Sequence, residues 1–124
     1  MIYKNGVVES GVIFVNNKRR HLRGLSRELI FALMTADKLS QQCYDIEVVV
    51  TGLGGESHKA NSCHYGRLRD NGYYIDGADI RTNHYTKEQG TELIVELREM
   101  LGPDYQIIDE RESKSHAHLE FDPK

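Results

Sequence analysis

The sequence is poor in cysteine, in excess basic charge and in long apolar runs, and each shortage excludes something. Two cysteines in 124 residues, Cys43 and Cys63, cannot build a disulfide framework. Both read as small buried apolar residues that a reducing compartment keeps as thiols. Lys and Arg number 16 against 19 Asp and Glu, for a net charge of −3, which excludes a basic nucleic-acid module. No apolar run approaches the roughly 20 residues of a membrane span, so no membrane insertion is expected. The segment Met1 to Gly6 has neither the charged and apolar regions nor the cleavage site of a secretory signal, so a cytoplasmic site of synthesis is expected. There is no internal repeat, low-complexity tract or linker. At this length a folded chain buries roughly 65% of its extended surface, enough for one core, and a single domain is expected over residues 1–124.

The hydrophobic pattern predicts a mixed α+β fold, a mainly antiparallel sheet with two principal helices packed on it. Val7-Val8 and Gly11 to Val15 read as a hairpin or edge strands. The basic cluster Lys18 to Arg23 reads as a solvated turn leading into a helix. Ser26 offers an N-cap for that helix and Glu28 suits its first turn. Leu29, Ile30, Leu33, Met34 and Ala36 form its core stripe, giving about fourteen residues that end near Leu39 or Ser40. Tyr44 to Thr51 reads as a strand, Gly52 to Gly72 as a long loop, and Tyr73 to Ile80 as a further strand. Thr86 and Gln89 predict a capping box, Gly102-Pro103 a stop, and Leu93, Ile94, Leu97 and Leu101 the buried stripe between them. Tyr105 to Asp109 and His116 to Phe121 read as two strands separated by the polar stretch Glu110 to Ser115.

The last strand carries the most chemistry. Side chains alternate across a strand, so His116, His118 and Glu120 share one face while Ala117, Leu119 and Phe121 share the other. Two exposed strand histidines would satisfy that pattern. So would a zinc site, which takes imidazole readily but needs about three protein ligands and an open position for water. His64, in Ser62-Cys63-His64-Tyr65, and Asp79, in Ala78-Asp79-Ile80-Arg81, are the candidates to complete it. Two imidazoles and a carboxylate suit zinc better than copper or an iron–sulfur cluster. Glu112 is placed for a general base, or else is a solvated loop carboxylate.

The ordered set Val48-Val49-Val50-Thr51-Gly52, Ser62-x-His64-Tyr65, Ala78-Asp79-Ile80-Arg81 and Glu112-Ser113-Lys114-Ser115-His116-Ala117-His118 resembles the zinc peptidases that cut peptidoglycan peptides. That superfamily includes D-alanyl-D-alanine carboxypeptidases and dipeptidases, phage L-alanyl-D-glutamate endolysins and the amino-terminal signalling domain of hedgehog proteins. The resemblance runs from Val48 to the C-terminus, and the compact ending looks most like small phage and prophage members. It implies a hedgehog/DD-peptidase-like fold, Zn2+ held by His64, Asp79 and His118, Glu112 as catalytic carboxylate and His116 as stabiliser of the oxyanion. A peptidoglycan stem or cross-bridge peptide is the implied partner, met at the cell wall during phage lysis or from a virion. Arg81, Arg67 and His58 are candidates to bind that substrate, Arg because it pairs with carboxylates in bidentate geometry. The hedgehog member shows that the same fold also serves as a non-catalytic zinc-bearing binding module; a phage structural protein is the remaining alternative.

One spacing departs from the pattern. His64 and Asp79 stand 15 positions apart (79 − 64), farther than S-x-H-x-x-G-x-A-x-D allows. An insertion within Gly66 to Gly77, with Asn71-Gly72 as its hairpin tip, accounts for this. Asp70 and Asp76 thereby become rival ligands, although Asp79-Ile80-Arg81 matches the family wording and they do not. His21 and His84 have no evident partner.

Overall fold

The computed structural model describes residues 1–3, 12–15, 18–53, 67–69 and 72–123. In chain order these form β1 (Ile2–Tyr3), β2 (Val12–Val15), β3 (Lys18–Leu25), α1 (Arg27–Tyr44), β4 (Val49–Gly52), β5 (Arg67–Arg69), β6 (Gly72–Ile75), β7 (Gly77–Arg81), α2 (Lys87–Leu101), β8 (Tyr105–Glu110), α3 (Arg111–Lys114) and β9 (His116–Phe121). A five-stranded sheet runs in the order β1-β4-β7-β9-β8, and a four-stranded sheet runs β2-β3-β6-β5. Pairing is antiparallel except between β1 and β4 and between β3 and β6. The α+β class and mainly antiparallel sheet therefore stand, with a second sheet that the sequence pattern did not announce. No helix among the described residues is long and apolar enough to cross a membrane.

The core lies between the two long helices and one face of the larger sheet. Ala78 and Ile80 of β7, Ile107 of β8, and Ala117 and Leu119 of β9 are buried there against Leu29, Leu33 and Ala36 of α1 and Leu93, Ile94 and Leu97 of α2. Full burial of one such side chain stabilises the fold by about 1.5–3 kcal/mol. Because neighbours along a strand face opposite ways, this packing turns Asp79, His116, His118 and Glu120 to the sheet's other face.

Helix α1 begins where expected: the Ser26 hydroxyl accepts the Leu29 N–H at 3.1 Å. Its stripe differs. Leu29, Ala32, Leu33, Ala36 and Ser40 are buried, whereas Ile30 and Met34 are 41% and 60% exposed. Each follows a core leucine by one residue and so stands about 100° further round the helix. The helix also runs beyond Ser40 to Tyr44 and closes on Asp45, whose left-handed backbone (φ 57°) turns its own N–H to Gln41 O at 3.0 Å and the next N–H, of Ile46, to Ser40 O at 3.5 Å. Ser40 donates its hydroxyl to Ile46 O at 2.6 Å and meets the Tyr85 hydroxyl. The Asp37 carboxylate accepts Val48 N–H at 3.0 Å. These bonds tie 45–48 to the helix, so the expected strand over Tyr44 to Thr51 shrinks to β4. Cys43, expected to be buried, is exposed; Cys63 lies outside the described residues.

Two further expectations change. The basic cluster Lys18 to Arg23 lies in β3, drawn into a strand by pairing with β2 on one side and β6 on the other. The single strand expected over Tyr73 to Ile80 is two, broken at Asp76, with β6 in the smaller sheet and β7 in the larger. Asp76 is fully buried and its carbonyl accepts Phe121 N–H at 2.8 Å, pinning the crossover to the end of β9. Within the stretch expected as loop, β5 pairs with β6, Arg69 opposite Gly72. Gly72 thus belongs to a strand and not to the hairpin tip. Helix α2 starts and stops where expected: its capping box is complete, with Gln89 N–H to Thr86 Oγ1 at 3.1 Å and Thr86 N–H to Gln89 Oε1 at 3.0 Å, and of its expected stripe Leu93, Ile94 and Leu97 are buried while Leu101, in the last turn, is half-buried against the core.

Candidate metal centre

Register builds the polar cluster. Across β7, β9 and β8, Asp79 pairs with His118 and His118 with Ile108, while Arg81 pairs with His116 and His116 with Glu110. Directly paired residues project to the same face, so two adjacent rungs bring Asp79, Arg81, Glu110, His116 and His118 to one face, with Glu120 a rung below. His118 Nδ1–H donates to Asp79 Oδ1 at 2.8 Å, across a sequence separation of 39 residues. His116 Nε2–H donates to Glu110 Oε1 at 3.1 Å and lies 3.6 Å from Asp79 Oδ1. On its far side, His118 Nε2 faces Glu120 Oε1 at 3.8 Å.

These side chains are well shielded, at 12% exposure for His118 and 18% for His116 and Asp79. Burial opposes a charge on His118. The hydrogen bond and charge of Asp79, with the charges of Glu120 and Glu110 behind it, outweigh burial and raise its pKa above the ordinary 6.5. The carboxylate of Asp79 has a place because β4 presents a glycine there. A Cβ built on Gly52 would stand 2.6 Å from Asp79 Oδ2.

Imidazole nitrogen and carboxylate oxygen on rigid strands form a donor set fitted to a borderline divalent cation such as zinc. The Asp79 carboxylate, Glu110 carboxylate and His116 ring each place one ligand atom within 4.8 Å of the other two. The cradle at Gly52 and the carboxylates behind both rings are the kind of outer support that orients metal ligands.

Of the residues expected from sequence, Asp79, His118 and His116 come together, with Arg81 on the same face. His64, His58 and Asp70 lie outside the described residues. Arg67 opens β5, opposite Tyr74. Asp76, the other rival ligand, is buried at the β6–β7 junction, out of alternation with Asp79. Glu112 is not joined to either histidine by a hydrogen bond or ion pair among the described residues. It is exposed on α3 and lines an open cleft of about 760 Å³ that it shares with Glu110, Ser115 and Thr82. The carboxylate that reaches His116 is Glu110. Its position depends on the β8–β9 register, and the expected strand stopped one residue short of it, at Asp109; the signal present was a carboxylate directly after a strand that precedes H-x-H.

Arg111 fixes the turn between these strands. Its guanidinium bonds Asp109 Oδ1 at 2.9 Å and Oδ2 at 2.8 Å, Lys87 O at 3.1 Å and Thr91 Oγ1 at 3.0 Å. It crosses α2 over Gly90, where a Cβ would stand 2.7 Å from Nη1. Asp109 is thereby held below the ordinary 3.8, Arg111's hydrogen bonds being the largest cause. In comparisons with known proteins, no family model, curated protein or solved structure matches the chain.

Proposed function

We propose that the chain is a zinc-dependent peptidase that hydrolyses an amide bond of peptidoglycan peptides, acting at the cell wall in a phage lysis or entry setting. One observation supports this reading above the others. Asp79 and His118, two of the three ligands implied by the resemblance, face each other at 2.8 Å from different strands, with the second histidine of H-x-H alongside.

Zinc bound there would polarise the scissile carbonyl and acidify a water molecule. In this reading Asp79, His118 and His64 hold the cation. His116 donates its ring N–H to the oxygen on which charge develops. Glu112, in the cleft beside Glu110, takes the proton from water and returns it to the leaving amine. Arg81, with Arg67 and His58, receives the substrate carboxylate. The test is turnover of purified muropeptides by the zinc-loaded full chain, followed by mass spectrometry. His118→Ala is expected to lose the zinc bound by its ring, and hydrolysis with it, and Glu112→Ala to keep that zinc and lose hydrolysis. A zinc-loaded protein that cleaves no muropeptide overturns the peptidase.

The exposed placement of Glu112 favours a second reading, a zinc-bearing module that binds its partner without cutting it. Stoichiometric zinc together with muropeptide binding and no turnover would select it.

A further inference from the structure

We infer that Asp79, Glu110 and His116 form a divalent-cation site of their own, one rung along the β7–β9 ladder from the Asp79–His118 pair. One ligand atom from each of the three residues lies within 4.8 Å of the other two. Two ligands each about 2.1 Å from one cation in tetrahedral array lie about 3.4 Å apart. His116 Nε2 stands 3.1 Å from Glu110 Oε1 and 3.6 Å from Asp79 Oδ1, on either side of that separation.

Three strands supply the three donors, so the site is preorganised by the sheet ladder. Glu110 is the last residue of β8, immediately before Arg111, whose four hydrogen bonds anchor the chain on leaving that strand. One imidazole and two carboxylates favour a hard-to-borderline divalent ion, Zn2+, Co2+ or Mn2+, over Cu(I). The site shares Asp79 with the ligand set of the proposed function but needs neither His64 nor His118, so variants at Glu110 and at His118 separate the two.

Metal-free full-length protein titrated with Zn2+ against a competing chelator tests this directly. Glu110→Gln preserves size and removes the charge; it is expected to weaken one class of zinc binding about 10- to 100-fold, as loss of a ligating or supporting carboxylate does. His118→Ala is expected to retain a class of zinc binding that Glu110→Gln then removes. Unchanged zinc binding in folded Glu110→Gln overturns the inference. Histidine-ring ¹H–¹⁵N spectra of the unsubstituted protein give a second measure, independent of any variant. Zinc must move the His116 Nε2 resonance, and movement of His118 alone overturns the site. Glu110-dependent zinc binding without muropeptide cleavage upholds this site while removing the peptidase. Cleavage by a protein whose zinc binding ignores Glu110→Gln does the reverse.

Discussion

Gly52→Ala isolates the support of the cluster from the cluster itself. No ligand atom is removed, and the backbone at Gly52 is outside the left-handed region, so alanine adds a methyl group without conformational strain. That methyl would lie 2.6 Å from Asp79 Oδ2 and 3.4 Å from Asp79 Cβ and Cγ. Ordinary contact begins near 3.4 Å, so the oxygen must retreat by about 0.8 Å, and Asp79 is short enough that the whole carboxylate turns with it. The bond to His118, at 2.8 Å, is then stretched or misaligned. A hydrogen bond to a charged partner contributes about 1.5–3 kcal/mol to stability, and misplacing a carboxylate that holds or supports a metal costs about 10- to 100-fold in metal affinity. Zinc affinity is expected to fall about ten- to a hundredfold. Urea unfolding of the metal-free variant is expected to show a loss at the lower end of that energy range, because part of the strain relaxes by rotation of Asp79. The assay pairs the chelator competition with the unfolding curve. Gly52→Ala protein that binds zinc as tightly as the parent and unfolds at the same urea concentration would refute the claim that the glycine positions Asp79.

Other perturbations probe the scaffold. Ser40→Ala leaves Ile46 O, which is part-buried, without its donor and strands the buried Tyr85 hydroxyl; a loss of about 1–3 kcal/mol is expected in urea unfolding, and no loss would show that water replaces the hydroxyl. Leu119→Ala opens a cavity between β9 and the helices at a fully buried position and is expected to destabilise by about 2–5 kcal/mol; a cost below 1 kcal/mol would contradict the packing described. Asp109 has its pKa depressed below 3.8 by Arg111, so its contribution to stability is present above that value and is lost as pH falls through the folded pKa. Asp109→Asn is accordingly expected to flatten the acid limb of the stability-against-pH curve, and an unchanged acid limb would remove the Arg111 pairing from the account.

Legibility of the fold varied with how local its causes were. Helix α2 could be read from its own residues, because a capping box and a terminal Gly-Pro act within one turn of the positions they define. The start of α1 was readable for the same reason. Its end was not: the bonds that carry the chain past Ser40 come from Ile46, Val48 and Tyr85, residues no propensity links to a helix terminus. Lys18 to Arg23 shows the opposite failure, since its composition suits a solvated turn and only pairing with two other strands makes it β3. The second sheet is built from such pairings throughout.

Local sequence determined the donors on β9 and the direction each faces, since strand alternation is a property of consecutive residues and the apolar partners Ala117 and Leu119 leave the histidines one face to occupy. Tertiary structure alone decided which carboxylates meet them. Asp79 reaches His118, Glu110 reaches His116 and Gly52 makes room for Asp79 through strand register, and register is set by the packing of the whole sheet against its helices.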